Sequence, residues 1–326
     1  MGEIKATGSF VPSKKVSNDD LSKIIDTNDE WIVSHTGIKF RHIATDDETT
    51  SFMASRAGET ALNRSGLSAE DIDMILVATS TPDYNHFPST ACLVQKELGL
   101  VNSGALDIAA ACTGFIYALE TARAYINAGT FRNIMVIGVD KLTTATNWAD
   151  RKTAILFGDG AGAIIMSAET GNGSGVKNSI LKADGNRGSS LTYKAGGSSF
   201  HPKKRELAES EYYIEMDGRA IYDFAVDIHW RLIQQIMEKN NVTIDDIRWI
   251  VPHQANARII QASVKRGKIP LEKVYLNIDQ YANTSAATIP IAINELAETG
   301  NLSKGDKVIT VGFGGGLTFG GNYIVW

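Results

Sequence analysis

The second half of the chain replays the first, and this repetition limits the available folds more than any other feature. "DIDMILVATS" is matched by "DIRWIVPHQA", "AACTGFIYALE" by "YANTSAATIPIAI", and "RNIMVIGVD" by "GDKVITVGFG". Thr79 precedes His253 by 174 positions, Cys112 precedes Asn283 by 171, Gly129 precedes Gly300 by 171 and Gly138 precedes Gly312 by 174, so the register drifts by only three. Self-similarity at a nearly fixed interval is the mark of a duplicated unit. Along the first copy, apolar runs alternate with patterns of helical period: "IDMILVAT", a helix through "TACLVQKELGL", "GALDIAA", a helix after Cys112, then "NIMVIGVD" and "AGAIIMSA". That alternation predicts an α/β fold. With 326 residues, 43% of them hydrophobic, the chain can build two such halves, assigned to residues 1–170 and 171–326. The divider is the Gly-, Ser- and charge-rich stretch 169–211, expected to be loop with one strand pair.

A formal net charge of −5 argues against nucleic acid as the main partner, because phosphate binding needs clustered cations. The two cysteines, Cys92 and Cys112, lie twenty positions apart without a CxxC. Neither a disulfide framework nor a metal site is suggested, and a reducing cytoplasm fits. The start "MGEIKATGSFVPSKK" lacks the apolar core of a signal peptide. No uncharged apolar run reaches the ~18 residues a membrane span needs. The expectation is a soluble cytoplasmic protein with no membrane partner.

Cys112 sits in "LDIAAACTGFIYALE", with three alanines before it and a Thr-Gly pair after it. Small neighbours permit a sharp strand-to-helix turn that aims the side chain outward, the demand a nucleophile elbow meets with glycines. At a helix start the sulfur would face unpaired N–H groups and the positive end of the dipole, which predicts a lowered thiol pKa. A packed cysteine at a tight turn is the competing reading, whereas Cys92, in the helical "STACLVQKEL", is expected to be a small buried hydrophobe. His253, in "VPHQAN", follows a proline at a strand end, where histidines are often exposed and idle. Asn283, in "YANTSAAT", has the alternative of a helix N-cap. Under the duplication, Cys112 and Asn283 occupy equivalent sites, each opening a helix after a strand, and His253 lies just beyond a strand, so the three converge at one crevice. A thiol, an imidazole and an amide placed together can attack a thioester and hold its carbonyl oxygen. The glycines of "GFGGGLTFGG" (312–321) and "FGDGAGAIIM" open no helix, so phosphate-loop logic fails for both. They permit close backbone approach and free N–H groups instead.

"DTNDEWIVSHTGI", "HFPSTAC", "DIAAACTGF", "FGDGAGA", "VPHQANARII", "ANTSAAT" and "FGGGLTFG" occur in one order over essentially the whole chain. In this the sequence resembles the β-ketoacyl-acyl-carrier-protein synthase III family of the thiolase superfamily. The resemblance implies a five-layered α-β-α-β-α architecture of two duplicated halves, a homodimer, and a catalytic triad of Cys112, His253 and Asn283. It implies that Cys112 takes a short acyl group, such as acetyl, from acyl-CoA. The acyl-enzyme then condenses with malonyl-acyl-carrier protein, losing carbon dioxide, to give 3-oxoacyl-acyl-carrier protein and initiate fatty acid synthesis. Acyl-CoA is a substrate, and no cofactor or metal is implied. The backbone N–H groups of Cys112 and Gly316 would form the oxyanion hole, His253 Nε2 and Asn283 Nδ2 would donate to the enolate oxygen, and Phe313 would keep the malonyl carboxylate dry.

For CoA, the resemblance places Trp31 and Arg151 on either side of the adenine, with Thr27 and Asn256 along the same tunnel. His35 stands where the family often has arginine, and Arg219 where it has asparagine. Phe87 would reach the partner subunit's acyl pocket and restrict primer length. Gln254, Arg258, Lys265 and Arg266 form a candidate docking rim for the acidic carrier protein, although such a face is usually just solvated. The segment 195–213 looks longer than the family usually carries, which leaves open a relative that condenses a different starter in secondary metabolism. A thiolase-type reaction without decarboxylation would need a second cysteine near the C-terminal glycines, where this chain has none. A glutamate-based synthase is disfavoured by the His-Asn pair, and a non-catalytic acyl or carrier-protein binding module is the remaining alternative.

Overall fold

The computed structural model describes residues 2–168, 173–201 and 203–326, so the boundary assigned at 170/171 lies outside the described residues. Nine strands hydrogen-bond in one order: β11 (Ile247–Pro252), β12 (Lys307–Gly314), β13 (Thr318–Val325), β8 (Gly175–Ala183), β1 (Gly2–Phe10), β7 (Asp159–Ala168), β6 (Asn133–Lys141), β4 (Met74–Ala78) and β5 (Gly104–Ile108). Four short strands form two hairpins, β2 (Lys15–Ser17) with β3 (Phe40–His42) and β9 (Leu191–Tyr193) with β10 (Ile214–Met216). In the first half, β4 runs parallel to β5 and β6, and β7 turns back antiparallel between β6 and β1. The second half repeats this with β11 parallel to β12, and β13 antiparallel between β12 and β8. Its counterpart of β5 has shrunk to one parallel bridge, Ile250 to Val274. The halves join edge to edge through the single pair Gly2–Val176.

β4, β6 and β7 are almost continuous runs of buried Val, Ile, Leu, Ala and Met because helices cover both faces. The helices Gly114–Asn127 and Thr288–Glu298 form the middle layer, burying Phe115, Ile116, Leu119, Ile289, Ile293 and Leu296 in one cluster with residues of β4, β6 and β12. The helix Thr50–Ser65 closes one outer face over β1, β6 and β7. The helices Gly218–Lys239 and Ala257–Arg266 close the other, over β12 and β13. This gives the five layers. Each fully buried Leu, Ile or Phe contributes about 1.5–3 kcal/mol. No helix among the described residues is long and apolar enough to cross a membrane.

The repeat is more regular than the sequence alignment suggests. The turn Ala111–Thr113 and the helix after it match the turn Ser285–Ala287 and its helix at 174 positions, as β6 matches β12. The structural counterpart of Cys112 is therefore Ala286, and the assignment of Asn283 as the equivalent of Cys112 is corrected. The helix Thr288–Glu298 has 11 residues against 14 in Gly114–Asn127. The missing near-turn shifts Gly300, and the longer connection to β12 restores the register. Likewise Val77 pairs with Ile137 while Pro252 pairs with Val311, so His253 answers to Ala78 rather than Thr79. The stretch 169–211 also hides a full strand, β8, whose interleaved Lys177, Asn178, Ser179 and Lys182 read as loop because it is only half covered. Only β9 of the β9–β10 pair falls inside 169–211, so the strand pair expected there is corrected: its partner β10 lies just beyond the stretch.

Candidate active site

Cys112, His253 and Asn283 line one cavity of about 720 Å³, together with Phe313 and the glycines 314–316. Cys112 occupies the turn between β5 and the helix Gly114–Asn127, after Ala111 at a left-handed φ of +46°. A Cβ on Gly314 would come 2.7 Å from the Cys112 nitrogen and 3.2 Å from its Cβ, so only glycine lets β12 support the turn. The Ser285 hydroxyl donates to the Cys112 sulfur at 3.4 Å. Burial pushes the thiol up to about 12, with Asp140 adding repulsion and the Ser285 bond opposing it. The resting sulfur is a thiol. The lowered pKa expected from a helix start is not found, because desolvation outweighs it.

Asp140 ends β6 fully buried, and its Oδ1 accepts from the Ser80 N–H at 2.6 Å, the Thr81 N–H at 3.1 Å and the Thr79 hydroxyl at 3.1 Å. Its Oδ2 accepts from the Ala286 N–H at 3.2 Å, tying the second-half turn to the ends of β4 and β6. Burial raises its pKa, and these hydrogen bonds favour the carboxylate against that rise.

His253 is only 1% exposed, and burial with repulsion from His229 lowers its pKa to about 3, so its ring is neutral. Nδ1 lies 2.7 Å from the Thr288 hydroxyl, which leaves Nε2 for the cavity. Phe313 packs edge-on to the ring, with centroids 5.9 Å apart. The Asn283 backbone is clamped by an insertion of the first half, donating from N–H to Leu156 O at 3.0 Å and accepting from the Gly158 N–H at 3.1 Å. Its Oδ1 accepts from the Ser285 N–H at 2.9 Å. With the oxygen occupied, Nδ2 is the end of the amide free to donate. The cap-like bond and the donor role thus coexist in one side chain.

Of the residues expected to bind CoA, Trp31 and Asn256 line the cavity, whereas Thr27 and Arg151 lie outside its lining. The Arg151 guanidinium sits 4.7 Å from the Trp31 ring centroid, and His35 stacks on the same ring at 4.4 Å. Trp31 and Arg151 therefore touch each other rather than standing an adenine apart, and an aromatic ring must separate them to enter. Asn256 caps the helix Ala257–Arg266 and donates from Nδ2 to His35 O at 3.1 Å. Thr27 has an enclosed hydroxyl without a hydrogen-bond partner, while Arg219 is exposed. The β9–β10 hairpin supplies Leu191, Tyr193 and Met216 to the cavity wall. An ion pair of Lys194 with Glu215 closes the base of the 195–213 segment, and within it Arg205 pairs with Glu211 at 2.6 Å.

The proposed carrier rim divides. Arg258 and Lys265 are exposed, and Arg266 is exposed but engaged with Asp227 at 3.3 Å. Gln254 is corrected: it is 1% exposed, donates to Pro252 O and Tyr275 O, and accepts from the Asn277 N–H, so it is internal scaffolding. Phe87 is 85% exposed. The sequence reading missed Ser285, Thr288 and Asp140. The first two lie in or beside the quoted "ANTSAAT", and a carboxylate closing the otherwise apolar "IMVIGVD" was the signal for the third.

Family models described as 3-oxoacyl-[acyl-carrier-protein] synthase III match residues 106–185 and, for its C-terminal part, residues 237–326. The chain is similar to a β-ketoacyl-[acyl-carrier-protein] synthase III of Clostridium perfringens, with 50% identity over 313 residues, covering 96% of this chain and 95% of that one. One from Chlorobium luteolum is 46% identical over 325 residues, covering 99% and 98%. Among solved structures, the 3-oxoacyl-[acyl-carrier-protein] synthase III of Aquifex aeolicus VF5 superposes with a TM-score of 0.92 at 41% identity, covering 100% of both chains.

Proposed function

Because the chain belongs to the 3-oxoacyl-acyl-carrier-protein synthase III family, we propose that it moves a short acyl group, acetyl first among them, from CoA onto Cys112 and condenses it with malonyl-acyl-carrier protein. Carbon dioxide is lost, and the 3-oxoacyl-acyl-carrier protein that starts fatty acid synthesis is formed. The chain is an acyltransferase. The observation that carries this reading is the shared cavity of Cys112, His253 and Asn283, with the Asn283 oxygen engaged by Ser285 so that Nδ2 faces the work.

In acylation, the sulfur attacks the thioester carbonyl while its proton passes to His253 Nε2, since desolvation keeps the thiol protonated beforehand. The N–H groups of Cys112 and Gly316 hold the oxyanion. Collapse breaks the carbon–sulfur bond to CoA, whose sulfur takes the proton. In condensation, His253 Nε2–H and Asn283 Nδ2–H hold the malonyl thioester oxygen. Carbon dioxide departs, its bonding pair forms the enolate, and the enolate carbon attacks the acyl-cysteine to release the Cys112 sulfur, which is reprotonated. Phe313, packed on His253, excludes water from the carboxylate.

The protein acts as a homodimer in the cytoplasm, where its two free cysteines stay reduced. Supporting the dimer, β5 lies at an edge of the sheet with Leu106 40% exposed, and Tyr84 and Phe87 are exposed as well. A sheet edge of that kind invites pairing with a second copy. Incubation with acetyl-CoA and malonyl-acyl-carrier protein tests the function. Equal yields of CoA, carbon dioxide and 3-oxoacyl-carrier protein are expected. Release of CoA without carbon dioxide would contradict the reading.

A further inference from the structure

The turn Ser285–Ala287 is the second-half copy of the nucleophile turn, with Ala286 at the position of Cys112. Ser285 stands where Ala111 stands, and both hold the left-handed region that non-glycine residues rarely enter, at φ +51° and +46°. In the first half this conformation presents Cys112 to the cavity. In the second it aims the Ser285 hydroxyl at the Cys112 sulfur, 3.4 Å away. The Asp140 carboxylate lies close enough to feel the same hydroxyl, and its Oδ2 takes the Ala286 N–H at 3.2 Å. The titratable groups around this sulfur are thus Asp140 at the end of β6 and His253 after β11, with His229 behind His253. The Ser285 hydroxyl proton is thus aimed at the atom on which acylation builds negative charge.

Resting on the acyl-transfer reading above, we propose that Ser285 is a catalytic residue of the acylation step: its hydroxyl, which donates to the Cys112 sulfur in the resting thiol, holds that hydrogen bond more strongly as negative charge develops there. No covalent bond of the serine breaks, since an existing hydrogen bond is only strengthened. The donor stabilises the thiolate-like sulfur and stands between two like charges held near each other. A charge-assisted hydrogen bond of this kind has a large effect in a water-poor site.

Ser285→Ala is the test, because Ala111 already shows that alanine fits this backbone. Well below the thiol pKa, the rate of Cys112 alkylation by iodoacetamide is proportional to the thiolate fraction. Between pH 7 and 9 the variant should react about ten- to a hundredfold more slowly than wild type, with an unchanged thermal unfolding curve. Single-turnover transfer from acetyl-CoA should fall by a similar factor. Ser285→Gly, which removes the hydroxyl and the strain together, should behave like the alanine variant. Alkylation at the wild-type rate in Ser285→Ala, or recovery of that rate in Ser285→Gly, overturns the proposal. Alkylation needs no thioester, so this failure is distinguishable from a wild-type protein that no acyl-CoA acylates, which would remove the functional reading itself.

Discussion

The Thr288 hydroxyl oxygen lies 2.7 Å from Nδ1 of His253 and 3.0 Å from the carbonyl oxygen of Ser285. When the hydroxyl donates to the carbonyl, it accepts the Nδ1 proton and leaves Nε2 able to take a proton. When it turns to Nδ1, Nε2 carries the N–H. Acylation uses the first arrangement and condensation the second, the ring giving up its Nδ1 proton and taking one at Nε2 by exchange with water between the half-reactions. Thr288→Val removes the rotor and strands a buried ring nitrogen, at a cost of about 1–3 kcal/mol in stability. Urea unfolding should report that loss, and condensation should slow more than acylation. Thr288→Ser should restore both.

Two buried histidines set the acid limit of the fold. Burial lowers His229 from 6.5 to about 4, and His253 is lowered to about 3. The unfolded chain binds these protons more readily, so the stability of the neutral rings is fully present above pH 6.5 and is lost as pH falls through 6.5 towards 3–4. Both His229 ring nitrogens lack a hydrogen-bond partner, and the ring packs 5.2 Å from Phe313. Replacing it with leucine should therefore flatten the profile. The advantage of His229→Leu over wild type should be about 2 kcal/mol larger at pH 5 than at pH 7.5 in urea midpoint experiments. Equal differences at the two pH values would show that His229 does not titrate in the fold.

Asn283 separates the half-reactions. Its Nδ2 is proposed to donate to the enolate oxygen and not to the acyl-cysteine, so Asn283→Ala should lower the condensation rate about 10²–10³-fold. Transfer of acetyl from CoA to Cys112 should continue, read as single-turnover CoA release. Equal loss of both steps would assign Asn283 to the framework instead.

Arg258 and Lys265 remain exposed near the cavity, whereas Arg266 is shared with Asp227. Arg258→Glu should raise KM for malonyl-acyl-carrier protein, with an effect that shrinks as salt is added. KM for acetyl-CoA should hold. A matching rise in both would place Arg258 on the CoA path.

Much of the fold was legible because the chain states it twice. Buried parallel strands leave apolar runs, and the small residues around Cys112 announce a tight turn. What escaped is what local pattern does not encode. β8 reads as loop because half its surface is polar. Asn283 aligned with Cys112 because the loss of a near-turn from a helix moved the letters while the turns kept their spacing. Gln254 read as a docking residue, although its amide satisfies backbone groups inside the protein. Ser285, Thr288 and Asp140 are ordinary letters whose importance arises only when two turns 174 positions apart face one another.

The intact mass of the protein after incubation with acetyl-CoA tests the central claim most directly. The account predicts a gain of one acetyl group per chain, mapped to Cys112, absent in Cys112→Ala, and discharged on adding malonyl-acyl-carrier protein. An unchanged mass, or an acetyl group that persists in Cys112→Ala, would contradict it.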